Sequence, residues 1–171
     1  MSRIYDLGRE FSCLHLTNFP VQVNKLGAGI SDLPPRIAAG NDRCFRGIRV
    51  LELNRVVTAP VAGKILAAHR VDILWITSPS HPDLPELGRD LARGKRTAQL
   101  DLLTQEGREK SMELAKDADV FIQGYRPGSL AAKDFSPSGF ARINPSIVYA
   151  NVSAYGPSGP WSRNRGFDSM G

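Results

Sequence analysis

A basic side chain stands at the end of an apolar segment in the stretch VFIQGYRPGS, residues 120–129. The apolar run predicts a buried strand over 120–125, and Pro127 ends it because proline has no amide hydrogen to continue a ladder. Gly128 then frees the backbone to approach another group closely. In parallel α/β sheets the carboxyl ends of the strands form the ligand-binding edge. The pattern therefore places the Arg126 guanidinium at an edge where ligands bind.

Further basic residues occur near the ends of other predicted strands. Arg55 follows the first strand, the stretch RDLARGKR over 89–96 precedes the third, and Arg163 and Arg165 follow the fifth. If the strands are parallel, we expect these clusters to share one edge, where guanidinium groups would bind phosphate oxygens in a bidentate fork. Each arginine alone is better explained as an ordinary surface residue. Their recurrence favours a phosphorylated ligand.

Other chemistries have weaker support in the sequence. The small residues around Pro60, in VVTAPVAG, would let an anionic ligand approach a helix N-terminus. No GxGxxG and no GxxxxGK[ST] occurs, which disfavours a dinucleotide site and a P-loop. The histidines and cysteines are scattered: His15, His69, His81, Cys13 and Cys44. They form no CxxC, no triad spacing and no GxSxG elbow, so we expect no metal site.

Alternating strands and helices are expected to position these side chains. We predict strands over 47–53, 71–77, 97–102, 120–125 and 147–155. We predict helices from Pro60, over 104–117, after Pro127 and near 137–142, and a polar loop from Ser78 to Arg96. This alternation indicates a Rossmann-like, doubly wound parallel α/β sheet. Residues 1–45 are predicted to be an irregular N-terminal segment, and residues 46–171 the α/β domain.

Two of these helices carry more specific expectations. In the first, Val61, Ile65 and Ala68 share one face, which predicts the side turned to the sheet. The helix over 104–117 has Thr104 as its cap and closes on Lys116, in accord with the helix dipole. Its predicted buried stripe is made of small residues and one leucine: Gly107, Ser111, Leu114, Ala115 and Ala118.

Composition sets the class of protein. The 171 residues suit a single domain, and the net charge of +5 comes from scattered rather than clustered residues. A basic nucleic-acid-binding domain stays open as an alternative, although few aromatic residues lie among the arginines. Two thiols, no signal peptide and no apolar run long enough to span a bilayer favour a cytoplasmic protein that does not bind membranes. Mitochondrial and peroxisomal locations stay open.

Four segments, in order, carry a resemblance to a known family. They are GIRVLELNRVVTAPVAGKILAAHRVDIL, ARGKRTAQLDL, DADVFIQGYRPGSL and INPSIVYANVSAYGPSGPWSRNRGFD. Together they resemble the class III coenzyme A transferases (the CaiB/BaiF family) over residues 46–171. The resemblance implies an enzyme that moves CoA between carboxylic acids through a covalent Asp intermediate. It also implies acyl-CoA and carboxylic acids as small-molecule partners, CoA as a substrate and a homodimer, with no metal.

The resemblance also assigns binding residues. Carried over position by position, the CoA contacts are Arg55, Thr58, Leu100, Gly124, Tyr125, Arg126 and Arg165. The stretch Arg93–Arg96 matches the Gly-Lys-Arg-Ser region of the family, which lies near the nucleotide end of the ligand.

The sequence departs from the family pattern at several positions. Thr58-Ala59-Pro60 replaces Ala-Gly-Pro, and Arg70 replaces a glycine. If that glycine has a positive φ angle, Arg70 strains the turn by about 1 kcal/mol. Some members of the family are acyl-CoA racemases, which have a histidine as a base at the position of Phe167. Because this sequence lacks that base, a racemase is disfavoured.

The nucleophile of the transferases lies further along the chain than Gly171. We therefore assign no catalytic residue, expect the sequence to be a fragment, and expect no turnover from it alone, because covalent catalysis requires a positioned nucleophile. A truncated, non-catalytic remnant that binds CoA weakly is the alternative. The acyl donor and acceptor acid are not encoded in these residues.

Overall fold

A five-stranded parallel sheet forms the centre of the protein. The computed structural model describes residues 23–26, 45–54, 57–80, 85–131, 135–164 and 166. The strands are β1 (Arg49–Leu53), β2 (Asp72–Thr77), β3 (Arg96–Gln99), β4 (Val120–Gln123) and β5 (Val148–Asn151). Their order is β3-β2-β1-β4-β5, and every neighbouring pair is parallel. The predicted Rossmann-like α/β fold is confirmed. The prediction for residues 1–45 lies almost entirely outside the described residues.

Helices connect the strands, and one of them was not predicted from the sequence. They are α1 (Thr58–Ala68), α2 (Pro85–Leu91), α3 (Gln105–Lys116) and α4 (Pro137–Ile143). The expectation that residues 78–96 form only a loop is wrong. Helix α2 begins with proline at its first position and has Glu86 in its first turn, which are favourable helix-start residues in a segment otherwise rich in loop formers. The helix predicted after Pro127 falls partly outside the described residues, and residues 127–130 form a turn.

Strand ends were predicted too long at three places. The third strand was predicted to reach 102 and ends at Gln99, the fourth was predicted to reach 125 and ends at Gln123, and the fifth was predicted to reach 155 and ends at Asn151. The apolar pattern continues beyond each end because those side chains still pack on the core, although the ladder hydrogen bonds have stopped.

Side-chain caps start two of the helices. In α3 the Thr104 hydroxyl accepts a hydrogen bond from the Gly107 amide at 3.0 Å, as the sequence predicted. In α4 the Ser136 hydroxyl accepts one from the Gly139 amide at the same distance. The buried face of α3 consists of Gly107, Ser111 and Ala115, which confirms the predicted stripe of small residues.

The end of α1 confirms the expected strain at Arg70. The Arg70 amide donates to the Ala67 carbonyl and the Val71 amide to the Leu66 carbonyl, the two bonds of a Schellman motif. Arg70 therefore occupies the left-handed position that glycine usually fills, with φ 71°. The buried face of the same helix is not the predicted one. It consists of Ala59, Pro60 and Gly63, whereas Ile65 is 55% exposed.

The two faces of the sheet carry separate cores. On one, which we call the aromatic face, Phe121, Phe135 and Phe140 are fully buried and pack with Tyr149. On the other, the α1 face, the core is smaller and consists of Val50, Ala59, Val71, Ile73 and Ile122. Helix α1 lies on this second face.

The basic stretch before β3 does not lie at the carboxyl edge. Arg96 is the first residue of β3, and its guanidinium forms a fork with Asp72, the first residue of β2. The expectation that residues 89–96 share an edge with Arg126 is therefore wrong for Arg96. A residue that precedes a parallel strand lies at the amino end of that strand.

Candidate functional site

The strand order creates a crevice between β1 and β4. From β1 the chain passes through α1 to β2 on one side, and from β4 it passes through α4 to β5 on the other. The carboxyl ends of two strands whose connections diverge form the ligand-binding switch point of α/β sheets. The segments at that point are Asn54 after β1, the start of α1, and residues 124–126 after β4.

Gly124 brings the end of β4 against the start of α1. A Cβ atom built on Gly124 would lie 2.9 Å from the Cβ of Ala59 and 3.3 Å from the Cβ of Asn54. A side chain at this position would push β4 away from α1. The glycine thus permits a close approach of two chain segments at the switch point.

A side-chain bridge fixes the chain immediately beyond Gly124. The buried Gln123 accepts a hydrogen bond from the Tyr125 amide at 2.7 Å through Oε1, and its amide nitrogen donates to Oδ1 of Asn151 at the end of β5. Tyr125 is half-buried and packs on the core of the aromatic face. The backbone that leads to Arg126 is therefore held from both β4 and β5.

Arg126 begins a tight turn. The Ser129 amide donates to the Arg126 carbonyl at 3.0 Å, Pro127 occupies the second position, and Gly128 has φ 82° at the third. These are the features of a type II turn. The Arg126 side chain is exposed and has no hydrogen-bond or ion-pair partner among the described residues. A guanidinium that pairs with none of the described side chains therefore extends from a fixed turn beside the crevice.

The N-terminus of α1 lies on the other side of this crevice. Its N-cap, Val57, cannot accept a hydrogen bond through its side chain, and the first turn contains no acidic residue. Thr58, the first residue of the helix, is exposed. The N-cap side chain therefore provides no acceptor for the first amides of α1, and the positive end of the helix dipole favours an anion there.

A buried polar cluster lies beneath the first turn of α1, and we define it as Glu52, Asn54, Trp75 and Lys95. Lys95 Nζ donates to Glu52 Oε1 and to the Pro60 carbonyl, both at 2.8 Å. Asn54 Nδ2 donates to the same Glu52 oxygen at 2.9 Å. Lys95 Nζ also lies 4.7 Å from the centre of the Trp75 ring, at cation–π distance.

Burial dominates the electrostatics of this cluster. The charged ends of Glu52 and Lys95 are both inaccessible to solvent. Loss of hydration raises the pKa of Glu52 and lowers the pKa of Lys95, and their mutual ion pair opposes both shifts. In the sequence, Lys95 stands out only as part of the basic stretch over 89–96. The available signal was Glu52, an acidic residue in the middle of an apolar strand.

The other predicted contacts lie further away or outside the described residues. Leu100 follows β3, which β2 separates from β1, and its amide donates to the Thr77 carbonyl at 3.0 Å. Arg55 and Arg165 lie outside the described residues. The structure therefore brings together Thr58, Gly124, Tyr125 and Arg126, which flank the switch point. β4 is parallel to β1, so Arg126 does lie at the edge where β1 ends.

A cavity of about 360 Å³ occurs at the opposite edge of the sheet. Its lining consists of the strand starts and one side of α3, with Arg49, Asp72, Arg96, Glu113 and Leu114 among the residues. Because it lies at the amino ends of the strands, it is not part of the switch point. Neither a potential metal-binding cluster of three or more ligands nor a helix able to cross a membrane occurs in the segments that the structure describes.

A parallel α/β fold with a crevice at its switch point is typical of small-molecule-binding domains. Residues 45–171 match the sequence profile of CoA-transferase family III. The chain belongs to that family.

Individual relatives agree with this assignment. The succinate–glutarate CoA-transferase of Agrobacterium fabrum is 30% identical over 140 residues, which are 71% of this chain and 35% of the relative. The human succinyl-CoA:glutarate CoA-transferase is 26% identical over 156 residues, 84% of this chain and 36% of the relative. This chain therefore spans about a third of the length of these relatives.

Solved structures share the fold. The crystal structure of Rv3272 from Mycobacterium tuberculosis has a TM-score of 0.69 and 27% identity, covering 75% of this chain and 39% of that chain. A CaiB/BaiF family protein from Brucella suis has a TM-score of 0.65 and 28% identity, covering 73% of this chain and 37% of that chain.

Proposed function

We propose that this chain supplies the CoA-binding region of a transferase that moves CoA between carboxylic acids. The observation that carries the proposal is the pairing, across one crevice, of an exposed arginine on a fixed turn, without a partner among the described residues, and an uncapped helix N-terminus. Both features bind phosphate oxygens, and CoA carries a pyrophosphate and a ribose phosphate.

The proposed binding residues make two kinds of contact with the ligand, electrostatic and steric. Arg126 would form a charge-assisted fork with a phosphate, while the α1 amides near Thr58 would donate hydrogen bonds to a second anionic oxygen. Gly124 and Tyr125 would present backbone and ring to the ligand at the end of β4. Arg55, Arg165 and Leu100 remain proposed contacts that the family resemblance supports.

We assign no nucleophile to the described residues. Glu52 is close to the site, but its carboxylate is buried and paired with Lys95, so it cannot reach a substrate. The covalent Asp intermediate is therefore proposed from the family resemblance alone. The acids that donate and accept CoA are likewise not assigned.

The contribution of Arg126 to binding provides the test. In the Arg126→Ala variant we expect CoA to bind about 5- to 150-fold more weakly, which corresponds to the 1–3 kcal/mol of a charge-assisted contact. Isothermal titration calorimetry with CoA measures this change. Arg126→Lys keeps the charge but loses the planar fork, so its affinity for CoA should lie between those of Arg126→Ala and the native chain.

Arg142 provides the matched control. It is an exposed arginine in the last turn of α4. The C-cap residue of this helix, Asn144, donates to the Ala118 carbonyl, which places this end of α4 at the amino edge of the sheet, away from the crevice. Arg142→Ala should bind CoA as the native chain does. Equal losses in the Arg126 and Arg142 variants, or no loss in either, would show that CoA does not use this crevice.

A further inference from the structure

Lys95 connects the two edges of the sheet. Its backbone lies in the turn before β3, at the amino edge, where Gly94 has φ 79° and packs close to Ala67 near the end of α1. Its Nζ nevertheless donates to the Pro60 carbonyl in the first turn of α1, at the carboxyl edge. The side chain therefore extends along α1 from its last turns towards its first.

Ala59 and Pro60 pack the start of α1 into the core, but no side chain caps it. Val57 provides no cap, and Pro60 has no amide hydrogen. Lys95 holds the turn through a carbonyl instead, and the same ammonium is fixed to β1 by Glu52. A charged side chain from a third segment thus bridges the α1 N-terminus and β1.

The composition of the cluster is not the one expected if it served stability alone. Glu52 Oε2 and Asn54 Oδ1 are buried and have no hydrogen-bond partner among the described residues. A buried ion pair also loses hydration, and apolar side chains of the same volume often stabilise a fold as well or better. A geometric role accounts for a charged pair here, because hydrogen bonds fix direction and distance whereas apolar contacts do not.

The geometry that the pair fixes is that of the proposed binding crevice. Thr58 and the first amides of α1 form one wall, and the next residue, Ala59, lies against Gly124 at the end of β4. A shift of the first turn of α1 would change the distance between those amides and the turn that carries Arg126. Lys95 itself is inaccessible to solvent and cannot touch a ligand.

We propose that Lys95 is a positioning residue, which holds the α1 N-terminus at the switch point through the Pro60 carbonyl and the Glu52 carboxylate. The inference rests on the proposed CoA-binding function for its biological meaning. Its structural content, that Lys95 orders the first turn of α1, can be measured without a ligand.

The experiment compares two double variants. Glu52→Gln/Lys95→Met removes the buried pair without leaving an unpaired charge. Glu113→Gln/Lys110→Met removes an exposed pair on α3 that has the same 2.8 Å separation. We measure amide hydrogen exchange over residues 57–63 and 137–143 in the absence of ligand, and then the affinity for CoA by calorimetry.

We expect the buried-pair variant to remain folded and to exchange at least about tenfold faster over residues 57–63, with residues 137–143 unchanged. Its CoA affinity should fall by about tenfold or more, and the α3 variant should match the native chain in both measurements. Unchanged exchange over residues 57–63 would overturn the proposal. A buried-pair variant that does not fold would also overturn it, because the cluster would then be a general requirement of the fold.

The two hypotheses fail in different ways. If the native chain does not bind CoA, the proposed function is wrong, while faster exchange over residues 57–63 would still support the positioning role. If the native chain binds CoA and the buried-pair variant binds it equally well despite faster exchange, the order of this turn does not matter for binding, and the proposal that Lys95 positions the site is wrong.

Discussion

The aromatic face and the α1 face of the same sheet are packed with different kinds of side chain. On the aromatic face, the ring centres of Phe121 and Phe140 are 4.3 Å apart, and the Tyr149 hydroxyl donates to the Phe135 carbonyl at 2.9 Å. Burial raises the pKa of Tyr149 to about 12, so this hydroxyl remains a neutral donor at physiological pH. On the α1 face, the fully buried ion pair of Glu52 and Lys95 lies beside a smaller apolar core.

The difference indicates that the two faces contribute differently to stability and to the geometry of the crevice. Aromatic burial is non-directional and large, so the aromatic face is expected to supply most of the stability. The α1 face lies next to the uncapped helix start and carries the directional contacts that fix it. Substitutions on the two faces should therefore affect stability and ligand binding in different proportions.

Phe140→Ala tests the aromatic face and should give the largest effect on stability. The ring is fully buried among Phe121, Phe135 and Tyr149, so its removal leaves a cavity and should lower the free energy of unfolding by about 3–5 kcal/mol. Chemical denaturation measures the loss. Phe45→Ala, at a ring that is 41% exposed, is the control and should lose less than about 1 kcal/mol. Similar losses at both positions would contradict the assigned core.

Gly63→Ala tests the packing of the α1 face. The new Cβ would lie 1.8 Å from Glu52 Oε2, so either α1 or the ion pair must move. We expect the free energy of unfolding to fall by about 2–3 kcal/mol. This net loss would occur even though alanine stabilises a helix by about 1 kcal/mol relative to glycine. Unlike Phe140→Ala, this change should also weaken CoA binding, because it displaces the start of α1.

Gly128→Ala is the control for Gly63→Ala. A Cβ at Gly128 would lie more than 4 Å from the heavy atoms of the described residues beyond its chain neighbours. Only the strain of alanine at φ 82° should therefore lower the free energy of unfolding, by about 1–2 kcal/mol. If Gly63→Ala is neutral or stabilising, the close contact between α1 and Glu52 does not exist in solution.

Arg70→Gly should have the smallest effect and the opposite sign. Glycine adopts φ 71° without the Cβ conflict of arginine, so the turn after α1 should become more stable by about 1 kcal/mol. Thermal unfolding measures the gain. Arg70→Ala removes the charge but keeps the Cβ, and it should leave the stability unchanged. A gain of the same size in the alanine variant would attribute the effect to charge instead of backbone strain.

The sequence allowed the parallel sheet and part of the site to be predicted. Strand patterns and strand-ending residues are local signals, so VFIQGYRPGS was enough to predict a strand that ends before Pro127 and Arg126 at its carboxyl edge. The basic stretch before β3 was misplaced because the charges were grouped by their proximity to a strand, without regard to which end of the strand they precede. The Glu52–Lys95 pair joins residues 43 positions apart, and no local pattern indicates which buried acid a lysine will reach.

The switch point also has a consequence for the folding reaction. The two strands that form it are neighbours in space, but Arg49 and Asp119, whose groups meet where β1 and β4 begin, are 70 positions apart in the chain. Their pairing closes a long loop, whose entropy must be lost before the contacts form, and such distant pairings slow folding. The crevice does not exist until this closure has occurred. Any ligand that occupies it binds only the closed state, and by mass action it will stabilise the pairing of β1 with β4 more than any local element of the sheet.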